Sequence, residues 1–228
     1  MKSFNSEAIK TYLSLIKKDK FPRYKSWDNC YNAFSENLSP EIYALHLGFY
    51  LASWGMYRGS TGLLQTNHQI HAGAVKILFS DDFKTLKLDS SKKMSKDLIP
   101  LLRGSIPLII MLKTELSKYY NGISYTKEKR KNISSTDTLL SKILLGTIAC
   151  VPAYDGYYVN GLKVMEIKES KFDGISLNKL FDFIEINFEE IEHVQKLIMQ
   201  EMGFHYPLMK IMDMHFWQIG FNNKAKSG

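Results

Sequence analysis

Ser39-Pro40-Glu41-Ile42-Tyr43-Ala44-Leu45-His46-Leu47-Gly48-Phe49-Tyr50-Leu51-Ala52-Ser53-Trp54-Gly55-Met56-Tyr57-Arg58-Gly59-Ser60 opens with the punctuation of a helix start. Serine caps, proline suits the first helical position because its missing N–H has no partner there anyway, and Glu41 lies at the positive end of the helix dipole. The helix predicted from this start runs from Ile42 to about Tyr57 and carries two stripes. Tyr43, Leu47, Tyr50, Trp54 and Tyr57 step by four and three, and Ala44, Gly48, Ala52, Gly55 and Gly59 do the same on another face. Glycine costs a helix interior about 1 kcal/mol relative to alanine, so Gly48 and Gly55 predict close approach by a neighbouring backbone or by a ligand. Arg58, four residues after Trp54, is placed to meet a phosphate or carboxylate, or to offset the helix dipole.

The same period recurs on both sides of this stretch. Ile9, Tyr12, Leu13 and Ile16 follow a Ser6 cap, and Trp27, Cys30, Tyr31 and Phe34 follow Ser26. After Ser60 a helix is expected from Gly62 to Phe79. A kinked one follows from Leu98, through Pro100 and Pro107, to Tyr120. Another spans Leu139 to Cys150 behind Thr136-Asp137, and one resumes from Ala153 to Val164. A long one extends from a Ser176 cap to Met202, and a last one runs from Pro207 to Gly220. The chain reads as all-α: a single-domain irregular helical bundle of about eight to ten helices with little or no β-sheet. Only Val164 to Phe172 hints at extended structure. A polar excursion falls near 81–95 and a basic loop near 126–135, where Lys127, Lys129, Arg130 and Lys131 are expected to be exposed and to meet nucleic-acid phosphates.

Of the 228 residues, 45% are hydrophobic and 13% aromatic, enough for a core and too many for intrinsic disorder. The net charge of +7 is compatible with a polyanion such as DNA, RNA or a nucleotide, without requiring one. Cys30 and Cys150 have no CxxC spacing and read as reduced core thiols. The N-terminal segment lacks the apolar run of a secretory signal, and Leu98 to Leu112, interrupted by Arg103, is too short to cross a bilayer. The expectation is a cytoplasmic protein with no membrane partner, and Met-rich and aromatic segments near the C-terminus are compatible with a homodimer.

Chemistry concentrates in Ser141-Lys142-Ile143-Leu144-Leu145-Gly146-Thr147-Ile148-Ala149-Cys150-Val151-Pro152-Ala153-Tyr154-Asp155-Gly156-Tyr157-Tyr158. A helix stops at a proline, and a lone aspartate stands among aromatics at the head of the next. Asp155 is expected to cap that helix. Lys142 and Asp155, thirteen positions apart, read as the one pair of polar groups of this kind on faces that otherwise look like core. The segment resembles the helix-hairpin-helix DNA glycosylases, which place an aspartate after a Val-Pro or similar turn at a helix head, with a lysine upstream in bifunctional members. The resemblance implies that Asp155 supports a positively charged sugar and that Lys142 attacks the anomeric carbon of a flipped-out nucleoside. That superfamily's Gly-hydrophobic-Gly hairpin does not precede Asp155, where Gly146-Thr147-Ile148-Ala149 stands instead. Tyr50 to Ser60 together with Pro-Ala-Tyr-Asp is also similar to an uncharacterised bacterial helical protein family.

His68 and His71 share a helical spacing, but no cysteine or carboxylate stands at a matching distance, so no metal is expected, and no cofactor. Asp213, His215 and Trp217 read as a buried polar contact. The favoured function is binding of a nucleotide or nucleic acid, with glycosylase-like base excision as its enzymatic form. Tyr50, Trp54 and Arg58 would make the base or phosphate pocket, with Asp155 and Lys142 as catalytic residues. The alternative is a noncatalytic helical protein-interaction or regulatory module.

Overall fold

The computed structural model describes residues 2–87, 95–124 and 132–225. The α-helices are α1 (Ser6–Lys18), α2 (Lys25–Ala33), α3 (Pro40–Ser53), α4 (Ala72–Leu78), α5 (Leu98–Gly104), α6 (Ile106–Asn121), α7 (Asp137–Thr147), α8 (Gly156–Val164), α9 (Gly174–Ile186), α10 (Phe188–Met202) and α11 (Leu208–Ala225). Short 3-10 turns lie at Leu63–Gln65, His68–His71 and Lys84–Leu86. The class is all-α as expected, with eleven α-helices among the described residues rather than eight to ten. An isolated bridge between Ser124 and Asn132 is the one sheet-like pairing among them.

The extra helices come from side chains that take over backbone hydrogen bonds. Asn187 splits the expected Ser176–Met202 helix: its amide donates to Phe183 O and its Oδ1 accepts the Phe4 N–H. Ser105 divides the run from Leu98, donating to Leu102 O just before Pro107. The expected Gly62–Phe79 helix starts only at Ala72, because Asn67 folds back onto the Gln69 N–H and Gly62 is left-handed at φ 80°. Asn5 and Asp173, not Ser6 and Ser176, cap α1 and α9, and α11 passes Gly220 to end at Ala225. Ile133, expected in a solvated loop, is buried, with its N–H on Ile123 O. Lys127, Lys129, Arg130 and Lys131 lie outside the described residues, as do residues 88–94 of the polar excursion.

Ser39 caps α3 as expected, but the helix ends at Ser53. Gly55 is left-handed at φ 71°, with its N–H on Ala52 O and the Met56 N–H on Leu51 O, the Schellman pattern that closes a helix. A Cβ at Gly55 would meet nothing within 4 Å, so this glycine serves the turn and not close packing. Gly48 does match its expectation, since a Cβ there would lie 3.0 Å from His68 Cβ.

The apolar core draws on every α-helix, and α11 is buried on almost all sides. Its closest partner is α8. Gly161 and Gly220 make that approach possible: a Cβ at Gly161 would stand 1.8 Å from Phe216 O, and one at Gly220 would stand 1.9 Å from Tyr157 O. The N-terminal segment is sewn to this half of the molecule, with the Lys2 N–H on Met165 O and the Asn5 N–H on His215 Nε2. No helix among the described residues is long and apolar enough to cross a membrane.

Candidate functional site

Lys142 lies in the middle of α7, whose start is fixed by Thr136 accepting the Leu139 N–H. After α7 the chain reverses through Ala149, left-handed at φ 50°, and Pro152 to reach Asp155. Asp155 Oδ1 accepts the N–H groups of Tyr157 and Tyr158, both at 3.0 Å, capping α8 as expected. Its Oδ2 accepts from Lys142 Nζ at 2.9 Å. The two side chains are 4% and 14% exposed, so this is a nearly dry ion pair with an edge to solvent.

Neighbouring contacts hold the pair in place. Ser141, next to Lys142, accepts the N–H of Tyr154, next to Asp155, at 2.8 Å, while Thr138 donates to Tyr154 O at 2.9 Å. From α11, Asp213 Oδ1 accepts the Ala153 N–H at 3.0 Å. The turn is thus pinned from two helices, and the geometry of the pair follows from the fold.

An aromatic cluster adjoins it. Lys142 Nζ stands 4.9 Å from the centroid of the Trp54 ring. Trp54 meets Tyr24 and Trp217 edge to face, Tyr157 also meets Trp217, and Phe221 stacks on Trp217 at 5.1 Å. The indole N–H groups of Trp54 and Trp217 are buried without a hydrogen-bond partner, an arrangement that ordinarily costs about 1–3 kcal/mol each.

A second charge pair lies behind the first. Lys210 Nζ is 3.4 Å from Asp213 Oδ2, donates to Tyr12 Oη at 3.1 Å, and sits over the Trp27 and Tyr12 rings. Burial pulls the Lys210 amine below its ordinary value and pushes the Asp213 carboxyl above its own, each opposed by the other's charge. Tyr50 is buried beneath, its phenol raised first by burial and then by Asp213, Cys30 and Asp155. Lys142–Asp155 is therefore not the one pair of its kind. Lys210 was missed because Leu208 to Phe216 reads as an apolar helix; a lysine three residues before Asp213 in that run was the available signal.

The structure brings Lys142, Asp155 and Trp54 together and sets Tyr50 in the core against Gly146. It does not bring in Arg58, which lies on the exposed turn after α3 because Gly55 ends the helix before that position. His71 is buried between the Tyr57 and Tyr120 hydroxyls at 2.9 and 2.7 Å, and burial holds its imidazole down at about 3. No group of three or more metal-ligating side chains occurs among the described residues. An apolar cavity of about 650 Å³, lined by Leu86, Leu101, Leu108, Phe181 and Met209, lies apart from the ion pair.

An amine in contact with a carboxylate, beside an aromatic face, can do two things: give up its proton and attack an electrophilic carbon, or share its charge with a cation that the carboxylate stabilises. Comparison with protein-family models, with curated proteins and with solved structures gives no match to this chain.

Proposed function

We propose that this chain binds a nucleotide or nucleic acid and cleaves an N-glycosidic bond, with Lys142 as nucleophile and Asp155 as the charge that supports the sugar cation. The observation that carries the reading is the 2.9 Å contact of Lys142 Nζ with Asp155 Oδ2, beside the Trp54 ring. Asp155 takes a proton from Lys142 and passes it to the base, which restores the carboxylate charge, and the neutral amine attacks C1′ as the bond from C1′ to the base breaks. The base leaves with the electron pair and that proton. Opening of the sugar ring, with O4′ taking a proton from the attached nitrogen, then leaves an iminium between Lys142 and C1′. No oxidant, reductant or metal enters this balance. Trp54, Tyr24 and Tyr157, each partly exposed, supply aromatic rings of the kind on which a base stacks.

The test is borohydride trapping on oligonucleotides carrying abasic, uracil, oxidised or alkylated residues. The wild type should form a covalent adduct and Lys142→Gln none, while Asp155→Asn should slow base release on the order of 10²–10³-fold. A folded wild type that neither releases a base nor cross-links across the set ends this reading. The competing reading, a noncatalytic interaction or regulatory module, rests on Asp155 having both oxygens engaged, so that the pair serves as a brace. No activity in the wild type, with lowered melting in both variants, favours it.

A further inference from the structure

Two exposed cations lie on different rings of the aromatic cluster, which Trp217 joins. The Arg23 guanidinium, in the loop before α2, lies 5.1 Å from the Trp54 ring and 5.4 Å from the Tyr24 ring. Lys224 Nζ, near the end of α11, lies 4.9 Å from the Tyr157 ring, beside Gly156 at the head of α8. Neither cation has a carboxylate within ion-pair distance among the described residues. Tyr24, Trp54, Tyr157 and Phe221 remain partly open to solvent between them, and Gly156 is exposed. Phe21, 80% exposed with Lys20 over its ring, extends the same pattern from the α1–α2 loop.

An exposed cation resting on an aromatic face can swing to a phosphate and free that face for a base. A folded protein gains little from leaving both open, while a strand of unpaired nucleotides uses both: phosphates on the cations, bases on the rings. We infer that the face running from Arg23 across Trp54 and Tyr157 to Lys224 binds single-stranded nucleic acid. Its phosphates lie on the two cations, and one base is delivered to the edge of the Lys142–Asp155 pair. The inference deepens the function proposed above and rests on it for the identity of the delivered base, but its own content is binding alone.

Duplex is the poorer fit, because bases inside a stack cannot reach ring faces set this close to the protein surface. DNA and RNA strands share the chemistry, and the measurement separates them.

The experiment is fluorescence anisotropy of labelled, undamaged oligothymidylate, oligouridylate and a duplex of equal length, titrated with the full chain at several salt concentrations. Undamaged strands keep binding separate from cleavage. Single strands should bind more tightly than the duplex, with an affinity that falls as salt rises. Arg23→Gln and Lys224→Gln should each weaken binding roughly tenfold and lower the salt slope by about 0.7. Lys179→Gln, an exposed lysine on α9, should leave it unchanged. Binding should quench tryptophan emission, and Trp54→Phe should remove most of that quench.

Arg23 and Lys224 are exposed, so these variants retain the fold, which melting checks. No binding near 50 mM salt, equal loss in the Lys179→Gln control, or preference for duplex overturns the inference. A strand that binds as described but is never cut leaves this surface standing and removes the glycosidic reaction. Cross-linking of Lys142 to a free nucleoside without strand binding does the reverse.

Discussion

Lys210 lies 2% exposed over two aromatic rings, with Asp213 as its counterion. Replacing one member of such a pair leaves an uncompensated buried charge. Lys210→Met and Asp213→Asn should therefore each destabilise by about 3–5 kcal/mol, whereas the double variant should recover most of the loss. Urea melts of the three variants measure this, and additive losses would show that the two charges are not coupled. Asp155 carries two roles that substitution separates. Asparagine keeps the cap over Tyr157 and Tyr158 but leaves Lys142 without its anion, so Asp155→Asn should lose about 1–3 kcal/mol even before activity is considered. The capping role was legible in the sequence because a lone aspartate ahead of a helix has few other local uses. That Lys142 touches it was only suggested there, since contact across thirteen positions depends on the left-handed turn at Ala149, where no glycine marks it.

Helix ends and helix contacts make sharper predictions. Glu166 follows α8 in a left-handed conformation at φ 64°, with the Ile167 N–H on Leu162 O, in the position usually held by glycine. Glu166→Gly should stabilise by about 0.5–1 kcal/mol, since glycine adopts this left-handed backbone without the clash that a Cβ meets there. A lower melting temperature would contradict this. Gly161→Ala should do the opposite. Its methyl would collide with the backbone of α11, a clash no rotamer relieves, and the loss should reach about 3 kcal/mol in a denaturant melt. Gly161 was not singled out in the sequence, and Gly220 only as a helix end, because their value depends on which backbones cross, whereas Gly48 and Gly55 stood on a visible stripe. Even there the stripe misled at Gly55, whose periodicity is shared by a glycine that ends the helix. The break at Asn187 was hidden for a related reason: the apolar period from Leu177 to Ile198 continues across it.

At the scale of the whole molecule, two of the six histidines are held neutral. Burial lowers both His71 and His215 to about 3, with His68 adding to the effect on His71. The unfolded rings take up protons near pH 6.5, so between about 6.5 and 3 the unfolded chain holds more protons than the folded one. Stability is therefore full above pH 6.5 and falls as pH drops, by about 1.4 kcal/mol per unit for each ring. Asp213, held up by burial, works in the opposite sense at the acid end. Urea melts from pH 7.5 to 5 should follow this slope, and proton resonances of the two rings should not titrate in the native protein over that range. Rings that all titrate near pH 6 to 7 would contradict it.

The seam between the first residues and the last helix sets a timetable for biosynthesis. The face of α1 formed by Ile9, Tyr12, Leu13 and Ile16 closes against α10 and α11, which the ribosome adds nearly two hundred residues later. At roughly 5–20 residues per second, that apolar face waits on the order of ten to forty seconds for its partner. The nascent chain passes through that interval with this face of α1 uncovered, so chaperone dependence should fall most heavily on α1.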